Sequence, residues 1–148
     1  MAERTEGSKT MNASAADIME AIMDFDSYPD WAGVKSATVA KKDGQGRPAE
    51  VAMEVDVPMM GKARYTLQYK YKANDGGVSW TTKEVEEGPI KDIKGEYRLE
   101  ELDEDETDVS YEVSLELGMK IPGMLRRRGE KEIVKRALDG LKKRVEQA

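Results

Sequence analysis

Arg127 and Glu130 stand three residues apart in a stretch that reads as helix, and that interval brings both side chains to one face. A guanidinium there could hold a ligand carboxylate or enolate, while the glutamate orients it or exchanges a proton. The plainer alternative is an intrahelical ion pair, worth only tenths of a kcal/mol when exposed. Little else in the chain could do chemistry. Histidine is absent, which removes the commonest general base, metal ligand and triad partner. Cysteine is absent too, so disulfide and thiolate chemistry are excluded, and any serine, threonine or lysine nucleophile lacks an imidazole to activate it. The acidic run Asp103-Glu104-Asp105-Glu106 lacks the regular spacing and glycine of a calcium loop. Gly44-Gln45-Gly46 leads into Arg47-Pro48 and a strand, not the helix a phosphate loop requires. No catalytic residue, metal or cofactor is expected, and the chain reads as a binding protein rather than an enzyme.

The elements that position such a pair follow from periodicity. A first strand is expected over about Glu3 to Asn12. Ser14 then offers a helix N-cap, and Ala15, Ile18, Met19, Ile22 and Met23 form an apolar stripe. That helix should end near Asp24, because Pro29 disfavours helical geometry at Tyr28. From Val34 the period becomes two. Strands are expected at Val34 to Lys42 and Glu50 to Val57, then through Tyr65, Leu67, Tyr69 and Tyr71. Asn74-Asp75-Gly76-Gly77 marks a hairpin into Val78, Trp80 and Thr82, and Gly88-Pro89 marks the next turn. Another strand carries Ile93, Gly95, Tyr97 and Leu99 inward; the acidic run Glu100 to Asp108 makes a connection to Val109, Tyr111, Val113, Leu115 and Leu117. Such alternation implies an antiparallel sheet with one wet face. Its cover is a final helix from near Pro122, whose stripe Val134, Ala137, Leu138, Leu141 and Val145 extends back to Arg127, Glu130 and Lys131. Charge on a covered stripe places the first half of that helix over a cavity mouth or polar site.

Net charge is −6, but residues 120–148 hold ten Lys or Arg against four acids, so this segment is at +6 and the remainder at −12. The basic residues are interleaved with acids and lack aromatic platforms, so a nucleic-acid surface is not expected. No apolar run spans a bilayer, and no secretory signal follows Met1, so a cytoplasmic protein is expected. A single domain over residues 1–148 fits the length, and because no segment reads as a coiled-coil or dimer motif a monomer is expected, with edge-strand dimerisation the alternative.

Four elements together resemble a known family: Phe25-x-x-Tyr28-Pro29-x-Trp31; Val78-Ser79-Trp80; Gly95-x-Tyr97-x-Leu99; and Ile121-Pro122-Gly123 leading into Ala137-Leu138-x-x-Leu141-Lys142-x-Arg144. The chain is similar over nearly its whole length to the START-like or SRPBCC helix-grip superfamily, and within it to the bacterial polyketide cyclase/dehydrase and lipid transport family. The resemblance implies an α+β, Bet v 1-like fold. A curved antiparallel sheet of six or seven strands wraps a long C-terminal helix, with two short helices after strand 1. It also implies a cavity between sheet and helix for a lipid, polyketide, quinone or other hydrophobic molecule.

Inferred inward positions make Trp31, Met53, Tyr65, Tyr69, Trp80, Tyr97 and Tyr111 the expected cavity lining, with Met59 and Met124 at its entrance and Arg127 and Glu130 as polar contacts. Three readings stay open. One is a carrier or sensor of a hydrophobic molecule, and another is a polyketide cyclase or dehydratase working by acid–base chemistry. The third is a partner- or membrane-surface module whose Arg126, Arg127, Arg128, Lys142, Lys143 and Arg144 form one exposed patch.

Overall fold

The computed structural model describes residues 5–57, 61–118 and 122–146. Its strands are β1 (Thr5–Met11), β2 (Ser36–Lys42), β3 (Pro48–Val57), β4 (Gly61–Tyr71), β5 (Gly77–Glu87), β6 (Ile90–Asp103) and β7 (Glu106–Leu117). The helices are α1 (Ala15–Met23), α2 (Tyr28–Trp31) and α3 (Gly123–Glu146). The strands form one sheet in the order β1-β7-β6-β5-β4-β3-β2, and every neighbouring pair is antiparallel. Register shifts in β2, β5 and β6 bend the strands and curve the sheet. Its inner face carries Val51, Met53, Tyr65, Leu67, Trp80, Tyr97, Tyr111 and Val113, all buried.

Ser14 caps α1 as its type suggests: its Oγ accepts from the Asp17 amide at 3.1 Å. The Ala15 amide, a second orphan donor of that helix start, goes to Glu101 Oε1 at 3.3 Å. Glu101 can reach it because the acidic run is mostly strand, not connection. Residues Glu100, Glu101 and Asp103 pair with Asp108, Thr107 and Glu106, which leaves Glu104 and Asp105 as the turn. Residues 100–105 are exposed on both faces of the hairpin end, and the side chain buried opposite them is the polar Thr107, so apolar alternation stops while the backbone ladder continues.

Tyr28 also departs from expectation. It adopts φ −54° and ψ −37° and opens α2 despite preceding Pro29. Pro29 sits in the first turn, where its missing N–H is no loss, and the Tyr28 hydroxyl donates at 2.5 Å to the Ile22 carbonyl in the last turn of α1. The penalty on the residue before proline is thus offset by a bond that ties the two helices.

Helix α3 has 24 residues, about 36 Å. Its buried residues, Glu130, Val134, Ala137, Leu138 and Leu141, pack on β1 and β7. Polar ties secure its second half. Arg144 Nη2 donates to Asp24 Oδ2 and to Ser27 Oγ, each at 3.0 Å, and Lys142 Nζ donates to Glu146 Oε2 at 2.5 Å and to the Thr10 carbonyl at 3.3 Å. Arg127 and Lys131, expected on the covered side, are exposed, because the buried stripe runs through Glu130, Val134, Ala137 and Leu141 and leaves both at its solvent edge.

Two glycines in α3 answer opposite demands. A Cβ on Gly140 would lie 2.2 Å from the Trp31 carbonyl oxygen, whereas one on Gly129 meets nothing within 4 Å. Gly129→Ala is therefore predicted to stabilise the protein by up to about 1 kcal/mol. Gly140→Ala, normally favourable in a helix, is predicted to destabilise it by about 1–3 kcal/mol because α2 must move off α3. Urea denaturation of the two variants checks the opposed signs.

Candidate functional site

Between sheet and helices runs a continuous row of aromatic rings. Trp31 meets Tyr28 at 4.8 Å between centroids, Tyr28 meets Phe25 at 4.5 Å, and Phe25 meets Tyr69 of β4 at 5.1 Å. Tyr69 then meets Trp80 at 5.7 Å, and Trp80 meets Tyr97 at 5.5 Å and Tyr111 at 5.6 Å. Most of these pairs are tilted or edge-on, the arrangement ring quadrupoles favour. Sheet register explains the row, since Tyr69 lies opposite Trp80 and Tyr97 opposite Tyr111. Trp80 itself faces Gly95, where a Cβ would fall 2.6 Å from the indole Cζ2, so that glycine is the notch that receives the ring.

Beside this row the β5–β6 ladder is short, running only from Gly77↔Arg98 to Trp80↔Gly95. Below it the strands part, and Thr82 Oγ1 bridges the gap by donating to the Ile93 carbonyl at 2.9 Å and accepting from the Ile93 amide at 2.8 Å. An open groove of about 460 Å³ lies on the outer face here, lined by Ser79, Lys94, Glu112 and Ser114 among others.

The row ends in two distinct polar features. The Trp31 Nε1–H is buried and meets no acceptor among the described residues. Burial pushes the hydroxyl of Tyr65 up to about 12 and raises Tyr28, Tyr69, Tyr97 and Tyr111 above their ordinary range, with neighbouring tyrosines adding to the shift at Tyr28, Tyr69 and Tyr111. These hydroxyls are neutral polar tips at ordinary pH.

Glu130 is fully buried. Its Oε1 accepts from Thr5 Oγ1 and its Oε2 from the Leu115 amide, both at 2.8 Å, so one helix side chain ties α3 to β1 and β7. Arg127 is exposed, and the two residues therefore do not share one environment. Both carboxylate oxygens are engaged in holding the helix, a structural task that no local pattern announced. The signal that did exist was the position of Glu130 on the apolar stripe of α3.

Of the residues singled out from the sequence, Met53, Tyr65, Trp80, Tyr97 and Tyr111 are buried on the inner face, and Trp31 and Tyr69 are partly buried beside them. Met59 lies outside the described residues. Met124 is 69 % exposed at the start of α3. Phe25 and Tyr28, which the sequence placed only in a family segment, are full members of the row.

With this geometry in view, comparison with known proteins is informative. The model of the family described as polyketide cyclase / dehydrase and lipid transport matches residues 11–142. The chain belongs to this family. Solved structures share its fold. A START superfamily protein from Mycobacterium smegmatis superposes with a TM-score of 0.87 at 19 % identity, covering 97 % of each chain. The Zhui aromatase/cyclase from a Streptomyces species gives 0.78 at 19 % identity, covering 99 % of this chain and 95 % of that one. A STAR-related lipid transfer protein from Xanthomonas axonopodis gives 0.76 at 21 % identity, covering 97 % of this chain and 86 % of the other. No curated protein matches the chain in sequence. The family's helix-grip fold is thus the scaffold here, and among the described residues no helix is long and apolar enough to cross a membrane.

Two outcomes follow from the site. Glu130→Leu should destabilise the fold by about 2–4 kcal/mol, because it strands the Leu115 amide and the Thr5 hydroxyl, while Thr5→Val should cost about 1 kcal/mol. Denaturant titration of both variants measures this. The second concerns alkali. Tyr65 has a folded pKa of about 12 against an ordinary 10.0, so its contribution is complete below pH 10 and is lost as pH rises from there towards 12, where the unfolded chain ionises first. Tyrosinate absorbance of the buried set should appear only as the folded circular dichroism signal disappears.

Proposed function

We propose that the protein binds a hydrophobic small molecule between the aromatic row and α3, as a carrier or sensor. The observation that carries this reading is the buried row of rings bearing polar tips, enclosed between the inner face of the sheet and the helices. At the edge where β3, β5 and β7 end and β4 and β6 begin, α3 starts with Met124 and Leu125 more than half exposed. Amphipathic rings suit a ligand with an apolar body and a few oxygens, and the unpartnered Trp31 indole N–H supplies a donor for one of them. Family membership supports the class of ligand, since its description joins polyketide chemistry with lipid transport.

A cyclase or dehydratase needs an acid or base free to face the ligand. Glu130, the fully buried carboxylate, has both oxygens occupied by Thr5 and Leu115. The tyrosine hydroxyls of the row could serve as acids, but with Glu130 engaged the described inner face offers them no carboxylate base, so binding without turnover is the reading preferred over catalysis. The same proposal takes residues 1–148 as one domain that works as a cytoplasmic monomer without nucleic acid.

Native mass spectrometry of protein isolated from its own host, followed by organic extraction, tests the proposal. A discrete co-purifying hydrophobic compound is the expected result. An apo mass, together with no binding of the neutral reporter N-phenylnaphthylamine in lipid-free buffer, would overturn it.

A further inference from the structure

The basic residues of α3 do not form the one exposed patch expected from sequence. Roughly 21 Å of helix separates Arg128 from Lys142, Lys142 and Arg144 are engaged with Glu146, Asp24 and Ser27, and Arg126 is half-buried. Arg126 lies eighteen residues before Arg144, about five full turns, so both side chains leave the helix along one line. On that flank α3 also meets α2 and the chain after it, since a Cβ on Gly140 would strike the Trp31 carbonyl and one on Gly33 the stem of Arg136.

The two arginines on this line differ in what they find. Arg144 has Asp24 at 3.0 Å. Arg126 has no acid within ion-pair distance among the described residues, and its Nε is buried without an acceptor. Glu130, about one turn further along, is tied across to Thr5 on β1 and the Leu115 amide on β7 instead. A guanidinium stays protonated at any ordinary pH, and burying one of its donors unpaired is costly. Arg126 stands where α3 starts, beside the ends of β3, β5 and β7, at the rim of the interior. What this position lacks is an anion, and none of the described residues brings one.

We propose that Arg126 binds the carboxylate of an apolar acid whose body lies along the aromatic row. This deepens the hydrophobic-ligand reading and rests on it. One guanidinium offers a single charge and a flat fork of donors, and a carboxylate matches both, whereas a phosphate monoester carries further charge that the fork leaves unmatched. About 21 Å of helix lies between Arg126 and Gly140, where Trp31 ends the row, so the head is held at the rim while the body reaches the rings. The role that spacing suggested for Arg127 thus falls to its neighbour, because Arg126 is the half-buried one and Arg127 is exposed.

The test is displacement of N-phenylnaphthylamine from the full chain at pH 8 by three probes that share one alkyl chain: laurate, 1-dodecanol and dodecylammonium. Laurate should bind about tenfold more tightly than 1-dodecanol, and dodecylammonium more weakly than either. Arg126→Gln should weaken laurate about tenfold and leave 1-dodecanol within about twofold, and Arg126→Lys should restore part of the laurate preference. The exposed Arg128→Gln should leave that preference intact. Thermal melting of the ligand-free variants separates binding from structure: Arg126→Gln should melt no lower than the parent, since it strands no partner and removes a cation from the start of a helix. Equal binding of laurate and 1-dodecanol, or an equal loss of both in Arg126→Gln, would overturn the proposal. A laurate preference that Arg128→Gln abolishes and Arg126→Gln keeps would do the same. Absence of any reporter binding would remove the hydrophobic-ligand reading and this inference with it, whereas reporter binding without a laurate preference removes this inference alone.

Discussion

The bond pair at Glu130 fixes where the rest of this structure can be. A carboxylate buried without partners costs several kcal/mol, and here, among the described residues, a threonine hydroxyl on β1 and a backbone amide on β7 donate to it. Sliding α3 along the sheet by even one residue would strip Glu130 of both. The helix is therefore held at a single register, more firmly than the apolar contacts of Val134, Leu138 and Leu141 would hold it alone. C-terminal to Glu130 the apolar face packs down between flanking ion pairs, and in the turns before it Met124 and Leu125 are exposed. One buried side chain thus separates the part of the helix that builds the core from the part that meets solvent.

On the sheet side, the comparable constraint is the fit of Trp80 into Gly95. The indole occupies the volume a β6 side chain would fill, which brings Tyr69, Tyr97 and Tyr111 into contact around it. The same stretch is where β5 and β6 cease to pair, so ring packing replaces several ladder bonds as the link between the two halves of the sheet. A core assembled from amphipathic rings has a different surface chemistry from one of branched aliphatics. Its hydroxyls remain neutral, and their burial is tolerable only where they find acceptors in the protein or in a bound molecule.

How much of this could be read from the chain depended on whether one face of each element was wet. In β7, Val109, Tyr111, Val113 and Leu115 alternate with more polar positions because the inner face is covered along that length, and the strand was legible. The Glu100 to Asp108 run was not, because at the end of the β6–β7 hairpin exposed side chains carry no pattern while the ladder persists. Tyr28 was misread because its local penalty before Pro29 is offset by a hydroxyl bond to Ile22, a contact that propensity does not contain. Glu130 was legible as a charge on an apolar stripe, but its partner Thr5 lies 125 residues away, beyond any periodicity argument. Arg127 and Lys131 lie at the edge of the stripe, and periodicity alone does not show that the covered face is narrow there, with Glu130 and Val134 buried and both neighbours in solvent. The family segments carried the architecture correctly, since Phe25, Tyr28, Trp31, Trp80, Gly95 and Tyr97 form one connected cluster.

The chain has two tryptophans, and both lie in the aromatic row, one at its end and one at its centre. Their indole N–H resonances in a nitrogen–proton correlation spectrum give the most direct view of the interior as a neutral hydrophobic ligand is added. If the ligand enters between sheet and α3, the Trp31 and Trp80 signals shift saturably, together with the amides around Tyr97 and Tyr111, while Ser79, Lys94 and Ser114 on the outer groove stay in place. Trp80 also lines the outer groove, so shifts confined to Ser79, Lys94, Ser114 and Trp80, with the Trp31 indole signal unmoved at saturation, would show that the aromatic row is packed core and that the ligand site lies elsewhere.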